Sequence, residues 1–120
     1  MEIATTSAIL QGVGMASRPD DLIPPDVRAE MRPEAIGHRM RLLREALGMR
    51  PAEIADMLDI ERTYWSRFEG GKRKLTDEFA ALLVSRFGVT LDFLILGRWD
   101  KLPLDLAERM RSIASKPSEK

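Results

Sequence analysis

The 120-residue chain balances nineteen basic against nineteen acidic residues, carries one His and no Cys, and is 44% apolar. That is the size of one small domain with extensions, and it holds enough apolar side chains for a core. The missing cysteines exclude a disulfide framework and a zinc finger, a lone imidazole argues against a metal site, and no apolar run is long enough to span a bilayer.

Residues 1–33 open with small and apolar types from Ala4 to Met15 and then turn to Pro19, Asp20, Asp21, Pro24 and Pro25. Glycine and proline interruptions argue against a long helix, so a flexible N-terminal arm is expected, with a short helix over 26–31. Such an arm could wrap nucleic acid or a partner subunit. It has little positive charge to hold a phosphate, and Met15 and Met31 could each start translation, so a leader without a role is the preferred reading. With no basic start of a secretory signal, the chain reads as cytoplasmic.

A first core helix is expected over 34–47. Ile36, Met40, Leu43 and Leu47 recur at steps of four, three and four, which sets them on one face, and Gly48 ends it. Arg39 and Arg41 then point elsewhere, to touch a phosphate or to be solvated, and solvation is the preferred reading for each. His38 has no second ligand nearby and reads as a surface or packing residue.

The chain is organised around residues 49–74. Ile54, Ala55, Leu58, Trp65 and Phe68 recur at helical spacing, and Asp59 and Ile60 interrupt them between two short amphipathic runs. Pro51 suits a first helical position, and Gly70-Gly71 suits a left-handed stop. This is the layout of a helix-turn-helix. With Ile60, Trp65 and Phe68 inward as core, Arg62, Thr63, Ser66 and Arg67 face outward with hydrogen-bonding reach suited to base edges or phosphates.

A basic loop, Lys72, Arg73 and Lys74, leads to a helix over 76–87 with Thr76 as N-cap and Phe79, Leu82, Leu83 and Phe87 as its buried stripe. Thr90 caps a short helix over 91–96. In the extension over 98–120, Leu106, Met110 and Ile113 mark an amphipathic helix over 105–115 too short to stand alone. It either packs back on its own domain, or Trp99, Leu102, Leu104 and Leu106 form a self-complementary dimer patch.

From Ile36 onward, Arg-Leu-Leu-Arg-Glu-Ala-Leu-Gly at 41–48, Ala-Glu-Ile-Ala at 52–55, Ser-Arg-Phe-Glu-Gly-Gly-Lys at 66–72 and Gly-Val-Thr-Leu-Asp at 88–92 with Gly97 resemble the Xre family of lambda-repressor-like DNA-binding domains. The resemblance implies an all-α, compact five-helix domain over 34–97 that binds operator DNA, usually as a homodimer. It implies a partly buried pair between Arg44 and Glu69 that fixes the angle between the first and third helices of that domain. Arg62 and Arg67 would read guanine edges, and Thr63 would offer its hydroxyl or methyl group. Tyr64, Ser66, Arg50, Lys72, Arg73 and Lys74 would hold the phosphates.

Two positions depart from the family. Pro51 stands where many members carry a Gln that clamps the backbone, and Glu61 stands where many carry Ser or Thr. A carboxylate there is repelled by phosphate yet can accept from the cytosine amine, so Glu61 belongs with the candidate contacts. The expected function is a sequence-specific transcriptional regulator, a repressor on a near-palindromic operator, with double-stranded DNA as partner. The alternative is a protein-interaction module on the same fold, an antitoxin or adaptor, favoured by neutral charge, Pro51 and Glu61. An enzyme is not expected: there is no helper arrangement around the one His and no glycine-rich phosphate loop. No cofactor and no small-molecule ligand are implied.

Overall fold

The computed structural model describes residues 22–115, whose regular structure is seven helices. They are α1 Pro25–Glu30, α2 Pro33–Ala46, α3 Pro51–Leu58, α4 Arg62–Glu69, α5 Asp77–Phe87, α6 Leu91–Leu96 and α7 Leu104–Ser115. The five-helix domain expected from sequence is α2 to α6. Most of the expected arm, residues 1–21, lies outside the described residues. Within the remainder, α1 packs against α2 and α6.

Local chemistry explains the boundaries. Pro25, Pro33 and Pro51 each open a helix where the missing N–H costs nothing. Thr76 and Thr90 accept from the N–H groups of Phe79 and Phe93 at 3.1 and 3.0 Å, each satisfying an otherwise orphan donor. Asp59 closes α3 at φ 60°, a left-handed conformation that a short polar side chain tolerates better than a branched one. There the Ile60 N–H reaches back to Ala55 O at 3.0 Å, and the chain turns sharply into α4.

The core is continuous from α2 outward. Met40, Leu43, Ile54, Trp65, Leu83, Phe93, Leu94 and Met110 are fully buried, and α2 touches α1, α4, α6 and α7. Trp65 and Phe68 sit inside, as their spacing implies, with Phe68 stacked on Phe79 at 4.7 Å between ring centroids. Removing such an aromatic from a packed core costs about 3–5 kcal/mol.

Arg39 is not solvated: it is only 6% exposed, donates from Nη1 to Leu94 O at 2.8 Å and pairs with Glu30. It follows Ile36 by three and precedes Met40, so helical geometry carries it to the buried face. A guanidinium tolerates that burial because a carbonyl and a carboxylate satisfy it. The pair ties α1 and the C-terminal end of α6 to α2.

The tail helix packs back on its own domain. Leu102 and Leu106 are buried in the core with Ala107 and Met110, and Trp99 is half-buried edge-on to Phe93 at 5.5 Å. Of the four residues expected to form a self-complementary patch, only Leu104, 71% exposed, stands fully at the surface. The apolar stripe of α7 has already found its partner in α2.

Candidate nucleic-acid interface

The candidate surface is the outer face of α4 with the loop that follows it. One face of this helix buries Trp65 and Phe68, and this compels Arg62, Thr63, Ser66 and Arg67 to the opposite face, where all four are exposed. Their spacing of one, three and one residues makes a single strip along two turns.

Two contacts at the C-terminal end fix how α4 sits. The α2 helix crosses so close at Gly37 that an added Cβ would lie 2.4 Å from Phe68 O and 2.6 Å from Glu69 O. Only a residue without a side chain allows this approach. Beside it, Arg44 Nε and Nη2 donate to the two Glu69 carboxylate oxygens at 2.6 and 3.2 Å, and Nη1 donates to Met49 O at 2.9 Å. Trp65 Nε1 also donates to Glu69. One guanidinium therefore joins α2, the end of α4 and the entry to α3.

Beyond α4 the chain turns at Gly71, φ 73°, with the Lys72 N–H bonded to Arg67 O at 2.9 Å. This closure swings Lys72, Arg73 and Lys74 past the end of the helix. Lys72 and Lys74 are exposed, and among the described residues neither they nor Arg67 make an ion pair. Arg73 is held: its Nη2 donates to the Tyr64 hydroxyl at 2.7 Å, and its guanidinium carbon lies 4.2 Å from the ring centroid. Tyr64 is exposed and leans edge-on against Phe68, with ring centroids 5.9 Å apart.

At the N-terminal end the surface turns acidic. Glu61 caps α4 with its backbone only and is exposed, beside the exposed Asp56 and Asp59. Arg62 Nη2 donates to Asp56 Oδ2 at 3.0 Å and Nε to Oδ1 at 3.4 Å. That hydrogen bonding, and then the charge attraction, raise the Arg62 pKa above its ordinary value. Arg50, at the start of α3, donates its backbone N–H to Glu53 Oε1 at 2.8 Å and keeps an exposed guanidinium 3.4 Å from Oε2. The hydrogen bond from the Arg50 backbone holds the Glu53 carboxyl below its ordinary pKa.

The sequence-predicted residues thus fall into one strip on α4, one loop beyond it, and Arg50 at the start of α3. Sequence reasoning missed Asp56 as the partner of Arg62, because no periodic rule pairs residues across a turn. It also missed the burial of Arg39, which its spacing from Ile36 could have revealed.

Among the described residues, no helix is long and apolar enough to cross a membrane. No curated protein and no solved structure matches the chain. Residues 35–93 match a family model described as a helix-turn-helix domain, and those residues span α3, its turn and α4 together with the helices that hold them. Over residues 35–93 the chain is thus similar to a helix-turn-helix domain, and α3, the turn at Asp59 and α4 have the layout of its motif.

Proposed function

We propose that this protein is a cytoplasmic, Xre-type transcriptional regulator that binds double-stranded DNA in a sequence-specific way. The observation that carries the reading is the exposed strip of Arg62, Thr63, Ser66 and Arg67 on a helix anchored by Trp65 and Phe68. In this reading α4 enters the major groove, Arg62 and Arg67 read guanine through paired N–H donors, and Thr63 reads with its hydroxyl or methyl group. Glu61, at the helix entry, accepts from cytosine. Ser66, Tyr64, Arg50, Lys72, Arg73 and Lys74 hold the phosphates and fix register. The chain acts as a repressor, and two copies bind half-sites about one helical turn apart on a near-palindromic operator.

Neutral net charge does not oppose this, since what matters at the groove is local sign. The three cationic side chains of the 72–74 loop follow the strip, and the exposed Asp56, Asp59 and Glu61 flank the start of α4. The test is selection from a randomised duplex pool at two salt concentrations, with Arg62→Ala and Arg67→Ala beside the parent. Enrichment of a near-palindrome in which each substitution removes the guanine preference at its own position supports the reading. Binding without sequence preference overturns it and leaves a protein-interaction module on the same fold.

A further inference from the structure

Asp56 and Arg62 are each poorly placed for the helix that bears them. Asp56 lies in the last turn of α3, where the helix dipole disfavours a carboxylate, and Arg62 is the first residue of α4, where it disfavours a cation. They pair across the turn with both side chains more than half exposed, 59% and 66%, where an ion pair adds little to stability. Helix stability therefore does not account for the arrangement.

The geometry of the pair offers another account. A guanidinium has two forked edges: one made of Nε and one terminal nitrogen, the other made of the two terminal nitrogens. Asp56 takes the first, accepting from Nε and Nη2. The second edge, Nη1 with the remaining Nη2 hydrogen, is left whole, and among the described residues nothing accepts from Nη1. That edge presents two parallel N–H donors matched to guanine O6 and N7.

We propose that Asp56 is a specificity-determining positioning residue: from outside the recognition helix it clamps one edge of Arg62 so that the other meets guanine. The proposal rests on the DNA-binding reading and deepens it. A clamped guanidinium loses less rotamer freedom on binding, and its orientation is set before contact. The Asp56 carboxylate also repels a misplaced phosphate, which keeps Arg62 on bases in preference to the backbone.

The experiment measures duplex affinity at the operator position whose guanine preference Arg62→Ala removes, with all four bases tested there. The parent should prefer guanine by about tenfold or more. Asp56→Ala should cut that preference to about threefold or less while leaving preferences elsewhere in the site intact, and Asp56→Asn, with one acceptor oxygen, should fall between. In an Arg62→Ala background, Asp56→Ala should change nothing at that position. Both Asp56 variants should fold, since an acid leaves the end of a helix. Total affinity should rise slightly as a negative charge is lost, so the base preference and not the affinity is the readout. An unchanged preference in both Asp56 variants overturns the proposal, as does a sharper preference in Asp56→Ala, which would make Asp56 a mask. A parent that enriches no sequence overturns the DNA-binding reading itself, and the proposal with it, and is told apart because the failure lies in the parent.

Discussion

Arg44 grips Glu69 with a two-pronged contact, Nε to one carboxylate oxygen at 2.6 Å and Nη2 to the other at 3.2 Å, and both side chains are largely buried. The remaining nitrogen is bound to Met49 O, so the cation is satisfied on three sides only while Glu69 is present. Truncating one partner strands the other charge in a site it cannot leave. Glu69→Ala and Arg44→Ala should each cost about 3–5 kcal/mol, and Glu69→Gln less, because its amide oxygen can still accept from Arg44. Urea unfolding of the three variants checks this. Equal losses for Glu69→Gln and Glu69→Ala would mean that the charge, and not the hydrogen bonding, carries the contact.

Gly37 gives a second prediction about how α4 is held. In the middle of an open helix, Gly→Ala gains about 1 kcal/mol from propensity. Here the new Cβ would meet backbone oxygens at 2.4 and 2.6 Å, which no side-chain rotation relieves. Gly37→Ala should therefore destabilise by about 1–3 kcal/mol or more, as overpacking does. Gly48→Ala is the control, with φ 73° but nothing within 4 Å of the added atom, and should cost about 1–2 kcal/mol from backbone strain alone. Thermal melts of the pair would separate the two effects, and a neutral Gly37→Ala would show that the helices can part.

The motif was legible in the sequence because its signals are local and repeated. Trp65 and Phe68 announce the inner face of α4, Pro51 its neighbour's start, and the outward strip follows by subtraction. What stayed hidden depends on contacts between distant elements. The spacing of Arg39 from Ile36 points it inward, but the groups that satisfy it there, Leu94 O on α6 and Glu30 on α1, come from other elements. Leu102 and Leu106 read equally well as a dimer seam or as core, since periodicity reveals an apolar face without naming what covers it. The orientation of Arg62 depends on Asp56, six positions earlier across a turn whose shape rests on the left-handed Asp59.

Acid sensitivity should be traceable in part to Glu53. Its pKa is lowered in the folded chain, chiefly by the hydrogen bond from the Arg50 N–H, so it stabilises the fold above its unfolded pKa. That contribution is lost as the pH falls from the ordinary carboxylate range through the lower folded value. Glu53→Gln should lower stability near neutrality and leave it close to the parent in strong acid, so the two curves converge as pH falls. Urea midpoints collected from pH 7 down to pH 3 check this, and a constant gap would assign the effect to something other than titration.

The tail separates packing from association. Leu106 is buried against the core, so Leu106→Ala should cost about 2–5 kcal/mol. Leu104 is exposed, so Leu104→Ser should leave stability within about 0.5 kcal/mol. If Leu104 and the exposed part of Trp99 contribute to a dimer, Leu104→Ser should instead shift the oligomeric state toward monomer. Sedimentation equilibrium read beside thermal melts distinguishes these roles, and an unaltered mass distribution would remove the tail from the interface.

The loop beyond α4 should supply affinity without sequence preference. Lys72 and Lys74 are exposed, among the described residues they form no ion pair, and a lysine presents a point charge in place of a fork. Lysine at a phosphate displaces condensed counterions, so each contact contributes about one unit to the slope of log affinity against log salt. Lys72→Ala and Lys74→Ala should each lower that slope by about one and weaken every duplex alike, while the enriched motif stays as in the parent. Arg67→Ala should do the reverse, erasing preference at one base pair. Arg73→Ala should differ from both lysines, because its guanidinium is bonded to the Tyr64 hydroxyl and its loss also frees that ring. Anisotropy titrations across a salt series, on the selected site and on one scrambled duplex, provide the comparison. A lysine variant that changed base preference without changing the salt slope would move the loop from the backbone into the groove.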